Sequence, residues 1–174
     1  MSAMGGAEHS GGTPPLPTSI WWVAWASLAG QAGLLLSQGG RTDDETSALL
    51  SILIGAVLLG YVSAGVVRAR AVRWVLAWVV LLLAALTEVI ALVSADDMEE
   101  AALVLFSLAT TTVALLGLHA FRQTEWYAWQ RTKPPAHEGA PIGRLVAIGA
   151  LVGILGGLIG PVDDGLNAQI KVSD

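Results

Sequence analysis

Apolar residues divide the chain into five long hydrophobic segments that are separated by short polar stretches. The segments cover residues 20–37, 48–67, 72–94, 101–121 and 142–162. An α-helix rises ~1.5 Å per residue, so roughly 20 apolar residues cross the ~30 Å hydrocarbon layer of a bilayer. The pattern therefore predicts an all-α integral membrane protein, a bundle of about five transmembrane helices in one domain.

The last segment is the weakest of the five predicted spans. Its uninterrupted apolar part, Leu145 to Gly160, would give only ~24 Å of helix. Residues 142–162 provide enough length if Arg144 extends its aliphatic stem to the headgroups, and Pro161 then marks the end. A full span is the preferred interpretation, and a re-entrant or interfacial helix is the alternative.

The composition supports placement in a membrane. Hydrophobic residues make up 54% of the chain and charged residues 13%, whereas a soluble domain carries about 25% charged residues. The sequence contains no cysteine, which excludes disulfides, thiolate metal sites and a cysteine nucleophile. Residues 1–19 contain no lysine or arginine, so they lack the basic region of a secretory signal. We predict that they form a disordered cytoplasmic tail.

The basic residues predict the orientation. Short cytoplasmic loops of membrane proteins carry an excess of lysine and arginine. With the N-terminus inside, only Arg41 and Lys171 lie outside, and the other seven basic residues lie inside: Arg68, Arg70, Arg73, Arg122, Arg131, Lys133 and Arg144. We therefore expect a cytoplasmic N-terminus and a short extracytoplasmic tail at 163–174. The excess of arginine over lysine and the abundant alanine, valine, leucine and glycine suggest a bacterial cell (plasma) membrane.

The tryptophans follow the same asymmetry. Indole rings favour the membrane–water interface, where one edge is apolar and the other is hydrated. We expect a cytoplasmic aromatic belt, with residues 122–131 either continuing the fourth helix or bending along the membrane surface. The belt would contain Trp21, Trp22, Trp25, Trp74, Trp78, Trp126, Tyr127 and Trp129.

Glu88 is the only acidic residue inside a predicted span. A charge at the centre of a membrane helix costs roughly 2.5–3.5 kcal/mol on insertion scales, and such residues often mark ion or proton pathways. Glu88 is therefore a candidate ion or proton site. The plainer interpretation is a protonated glutamic acid that is hydrogen-bonded to a neighbouring helix. The partners considered for it are Thr87, Ser107, Ser51 and Gln31.

The last segment contains a regular pattern of glycines. Residues spaced by four lie on one helix face, and small residues at this spacing let two helix backbones approach closely in lipid. The glycines predict tight helix packing with another helix of the chain, a second copy or a different protein. They are Gly149, Gly153 and Gly157 on one face, and Gly156 and Gly160 on a second.

Two acidic clusters, residues 43–45 and 96–100, could be considered as divalent-cation sites. A simpler explanation is helix capping, because Thr42 with Glu45 and Asp97 with Glu100 have the spacing of capping boxes. His119 fits an interfacial position, and His9 and His137 have no metal-site spacing. No nucleophile, phosphate-loop or zinc-binding motif occurs. We expect no enzyme activity, no metal, no cofactor and no nucleic-acid partner.

Two hypotheses for function follow. The first is an accessory or scaffold subunit that packs through the glycines of the last helix into a homo-oligomer or a larger membrane complex. The second is a small transporter or channel that uses Glu88. The bilayer is the one partner that both hypotheses require, and the first is preferred on the sequence because polar residues are scarce in the spans.

Overall fold

The computed structural model describes residues 13–38, 45–132 and 142–159, and within these ranges it contains helices and no strands. The predicted tails fall mainly outside the described residues, as do Gly160, Thr42 and His137. The helices are α1 (Thr18–Gln38), α2 (Glu45–Val67), α3 (Ala71–Ser94), α4 (Met98–Arg122), α5 (Glu125–Arg131) and α6 (Gly143–Leu158).

Four helices, α1 to α4, are long and apolar enough to cross a membrane, as expected for an all-α multi-pass membrane bundle. The fifth predicted span is shorter than the sequence suggested. α6 contains 16 residues and ends at Leu158, because Ile159 adopts an extended conformation with φ −76° and ψ 119°. Pro161 disfavours helical geometry at the residue before it, which is consistent with this early end.

The five long helices pack in a ring. α1 contacts α4, α4 contacts α3, α3 contacts α2, α2 contacts α6, and α6 contacts α1 again. The last helix in the sequence therefore completes the ring by packing between the first two. The most extensive of these contacts is the one between α2 and α6.

Glycine allows α2 and α6 to touch at the level of the backbone. A Cβ atom placed on Gly153 would overlap the carbonyl group of Gly55, and a Cβ atom on Gly55 would overlap that of Gly153. A Cβ atom on Gly157 would lie 2.6 Å from the Cα atom of Ile52, and one on Gly149 would overlap the Ser63 hydroxyl. Gly149, Gly153 and Gly157 therefore face α2 of the same chain.

Gly156 faces a different helix. A Cβ atom on Gly156 would lie 3.3 Å from Gln31 Oε1 of α1, which is close but not prohibitive. α6 thus presents one glycine face to α2 and another small residue to α1. This arrangement explains how a helix of 16 residues can fill the gap between two longer neighbours.

The tightest side-chain packing lies at one end of the bundle, which we call the basic end. It comprises the start of α1, the α2–α3 turn, the end of α4, α5 and the start of α6. The side chains of Trp126, Phe121, Leu118 and Val67 are fully buried here. Arg68, Arg70, Arg122, Arg131 and Arg144 surround this core as exposed residues.

α5 closes the basic end. α4 stops at Arg122, and Thr124 restarts the chain as the N-cap of α5, its hydroxyl accepting a hydrogen bond from the Tyr127 N–H at 3.2 Å. The helix is therefore interrupted at residues 123 and 124, and α5 does not continue α4. Trp126 and Tyr127 are only 1% and 8% exposed, so they pack into the core of the basic end. Trp126 packs inward because its indole N–H donates to the Val67 carbonyl oxygen at 2.9 Å.

The α2–α3 turn makes that carbonyl available. Ala69 has φ 51°, in the left-handed region that non-glycine residues rarely adopt. The Ala69 N–H donates to the Val66 carbonyl and the Arg70 N–H to the Gly65 carbonyl, both at 2.9 Å. This is the Schellman pattern of helix termination. It reverses the chain sharply after Val67 and leaves the Val67 oxygen to bind Trp126.

We expect Gly153→Ala to lower the free energy of unfolding by about 1–3 kcal/mol, the usual cost of overpacking. The reason is that the new methyl group would meet the rigid backbone of α2 rather than a side chain that can move. The free energy of unfolding is measured in detergent, with circular dichroism used to monitor the loss of helix. Gly143→Ala is the matched control, because no atom lies within 4 Å of its Cβ position. Equal stability of the two variants would contradict the backbone contact.

We expect Trp126→Phe to lower the free energy of unfolding by about 1–3 kcal/mol, because the buried Val67 carbonyl would lose its donor. Trp22→Phe is the control, since Trp22 is exposed and should tolerate the change. Thermal unfolding of both variants in the same detergent measures the difference. A loss of similar size in Trp22→Phe would show that the indole–carbonyl bond contributes nothing specific.

Candidate ion-binding site at Glu88

Glu88 lies on α3, six residues before the helix ends at Ser94, which places it ~9 Å from that end. We call this end of the bundle the acidic end, because the α3–α4 turn there carries acidic residues. They are Asp96, Asp97, Glu99 and Glu100, all exposed. The Glu88 side chain is partly buried and points towards α4, as its hydrogen bonds show.

Two hydroxyl groups of α4 hold one oxygen of the Glu88 carboxyl group. Ser107 Oγ donates to Glu88 Oε1 at 2.5 Å, and Thr111 Oγ1 donates to the same atom at 2.9 Å. Ser107 and Thr111 are four residues apart and therefore share one face of α4. They are 6% and 9% exposed, so the three side chains form a small polar site between two apolar helices.

The second carboxyl oxygen is different. Glu88 Oε2 is buried and has no hydrogen-bond partner within the described part of the chain. A buried polar atom without a partner costs free energy, more so when it carries charge. The site therefore has one oxygen that accepts hydrogen bonds from two hydroxyls, and a second oxygen at which a cation can bind or a proton can neutralise the charge.

The ligand chemistry favours a proton or a monovalent cation. Carboxylate and hydroxyl oxygens are ligands for hard cations, and the site offers one carboxylate with two hydroxyls. A divalent ion normally takes more carboxylates, and the described residues contain no group of three or more His, Cys, Asp or Glu side chains that could hold a metal ion. A single negative charge matches a single positive charge.

The structure shows which of the residues considered as partners of Glu88 form a hydrogen bond with it. Ser107 is a partner, as considered from the sequence. Thr87 is not, because its hydroxyl donates to the Leu83 carbonyl of its own helix at 3.0 Å. Gln31 lies against Gly156, and the backbone of Ser51 lies against Gly157.

Thr111 was not predicted as a partner of Glu88, although its spacing of four residues from Ser107 was a usable signal. Its neighbours in the threonine run behave differently. Thr112 Oγ1 donates to the Leu108 carbonyl at 2.7 Å, and Thr110 Oγ1 donates to the Ser107 carbonyl at 2.8 Å. Threonine in a helix can satisfy its hydroxyl in this way, so only Thr111 is committed to the site.

Two acidic residues of the α3–α4 turn accept hydrogen bonds that cap the start of α4. The Glu100 N–H donates to Asp97 Oδ1 at 2.8 Å, and the Asp96 N–H donates to Glu100 Oε2 at 3.2 Å. This confirms the capping interpretation for Asp97 and Glu100. His119 is exposed near the other end of α4, with its Nε2 atom 3.1 Å from Gln123 Nε2. It lies three turns of α4 from Ser107, so it takes no part in the Glu88 site.

A double-mutant cycle tests whether the Glu88–Ser107 bond stabilises the protein. We expect a coupling free energy of about 0.5–2 kcal/mol between Glu88→Met and Ser107→Ala, the range found for hydrogen bonds between membrane helices. Unfolding in detergent gives the four free energies. Glu88→Met with Thr112→Val is the control pair, since Thr112 bonds within its own helix. Zero coupling in the first pair would contradict the geometry.

Comparisons with protein-family models, with curated proteins and with solved structures gave no match. The case for a function therefore rests on the geometry of Glu88, Ser107 and Thr111.

Proposed function

We propose that this protein is a small transporter or channel for protons or a monovalent cation, and that Glu88 is the group that binds the ion. One observation carries the proposal: a carboxyl group inside an apolar bundle has one oxygen held by two hydroxyls and the other oxygen buried without a partner. An ion or proton at Oε2 would complete the site. Ser107 and Thr111 would keep the carboxyl group oriented while the ion binds and leaves.

The energetic cost of Glu88 supports a functional role. An ionised carboxylate at membrane depth costs roughly 2.5–3.5 kcal/mol on insertion scales, and residues of this kind mark ion pathways and proton relays. A leucine at the same position would pack α3 against α4 without that cost. Charge neutralisation by a proton or a monovalent cation removes most of the cost, so occupancy of the site and stability of the helix pair are linked.

We further propose five spans, with the N-terminus inside a bacterial cell membrane. The exposed arginines gather at the basic end and the acidic residues of the α3–α4 turn at the other, which fits a cytoplasmic basic end. α6 spans as well under this proposal, because its glycines follow α2 over residues 149–157. Its ~24 Å length would be matched by local thinning of the bilayer.

We expect Glu88→Gln to abolish ion or proton flux in proteoliposomes. Glutamine keeps the size of the side chain and an oxygen for Ser107 and Thr111, but it cannot carry the negative charge that the ion neutralises. Flux is measured with a pH-sensitive dye and with a Na⁺- or K⁺-sensitive dye in the vesicle lumen. Glu125→Gln is the matched control, because Glu125 is an exposed acid on α5, outside the long helices.

Equal flux through wild type and Glu88→Gln would refute the role of Glu88. No flux through the wild type above that of empty vesicles, under both proton and cation gradients, would refute the transporter proposal itself.

An accessory subunit remains the second candidate function. None of the 24 residues of α3 is buried in the monomer, so this helix has a broad apolar side that a helix of a larger complex could cover. The glycine face of α6 is not available to a partner subunit, since α2 of the same chain covers it. The mass of the protein purified in mild detergent tests this candidate. A stoichiometric foreign partner would support it, and a plain monomer would count against it.

A further inference from the structure

A small crevice of about 10 Å³, with room for about one water molecule, lies between α1 and α4 beside Ser107 of the Glu88 site. Its walls are formed by Gly30, Gly33 and Ser37 of α1 and by Leu103, Phe106 and Ser107 of α4. Ser37 is exposed near the end of α1, whereas Ser107 is buried and donates to Glu88. The crevice thus lies between the exposed end of α1 and the serine whose hydroxyl holds the Glu88 carboxyl group.

We propose that this crevice is the route by which the ion enters, so that the ion reaches Glu88 from the acidic end and not from the basic end. The inference rests on the proposed function and adds the direction of access. The opposite direction is closed by packing, because Ala114, Leu118 and Phe121 of α4 are fully buried between Thr111 and the basic end. The Trp126 side chain seals that end.

Two glycines bring α1 close to α4 along the crevice. A Cβ atom on Gly30 would lie 2.7 Å from Thr110 Oγ1, and one on Gly33 would lie 2.6 Å from Phe106 Cε1. The Phe106 ring therefore rests directly on the α1 backbone, one residue from Ser107. It is the bulkiest side chain on the crevice wall, and its rotation would widen the passage to the Ser107 hydroxyl. Phe106 is the gate in this proposal.

The charge at the mouth suits a cation. Asp96, Asp97, Glu99 and Glu100 are exposed at the acidic end, and clustered charges of one sign raise the local concentration of counter-ions. An anion would be repelled by these carboxylates and again by Glu88. The electrostatics of the mouth and of the site therefore select the same class of ion, a cation.

The cysteine-free sequence allows a direct test with single cysteines in proteoliposomes. The probe is a cationic, membrane-impermeant methanethiosulfonate, which modifies only thiols that water can reach. Ser107→Cys should be modified when the reagent is added on the side of the acidic end. Leu105→Cys is the matched control, because it lies at similar depth on an exposed apolar surface of α4 and should stay unmodified in lipid. Glu99→Cys identifies which side of the membrane carries the acidic end.

Adding Phe106→Ala to Ser107→Cys should accelerate the modification at least tenfold, and reagent on the basic-end side should leave Ser107→Cys unmodified. Modification of Ser107→Cys no faster than that of Leu105→Cys, or only from the basic-end side, would overturn the route. Glu88-dependent flux without modification from the acidic end would overturn the route alone. Modification without any flux would overturn both the route and the proposed function.

Discussion

The backbone contact between Gly55 and Gly153 is the interaction on which the arrangement of the bundle depends. In lipid, apolar side chains gain little by leaving the acyl chains to contact one another, so helices associate through close packing. Here the packing is as close as two helices allow, since a single methyl group at either glycine would overlap the other helix. α6 is the helix that joins α2 to α1. Without this contact the ring would open into a row of four helices, and α1 would lose one of its two neighbours.

Hydropathy located the helices well because their length is set by the apolar layer they must fill. The segment predicted at 72–94 corresponds to α3 at Ala71–Ser94, and the one at 101–121 to α4 at Met98–Arg122. The earlier start of α4 has a local cause that hydropathy ignores. Asp97 accepts a hydrogen bond from the Glu100 N–H and so caps the helix. The first turn of α4 is therefore helical although its residues are polar. The sequence contained that signal as a capping box.

The tertiary partners were less predictable, because residue type indicates polarity and not position in space. A tryptophan suits both a membrane interface and a core. The burial of Trp126 depends on a free carbonyl at Val67, which in turn depends on the left-handed conformation of Ala69. A glycine at position 69 would have indicated this conformation in the sequence, whereas an alanine does not. Glu88 was identified from its chemistry alone. Its pairing with Thr111 required knowledge of which face of α4 meets α3.

Under the proposed function, the position of Glu88 couples ion binding to the attachment of α3. The bonds from Ser107 and Thr111 link α3 to α4 near the acidic end, and no residue of α3 is fully buried. The basic end, by contrast, is fixed by a dense core. A proton or cation at Oε2 would change the charge on the carboxyl group that these hydroxyls hold, and so would change how strongly the acidic-end half of α3 is attached. Trp74, Trp78 and Leu81 of α3 pack against the core at the basic end. With its ion site near the other end, α3 would respond to occupancy by moving at the site end.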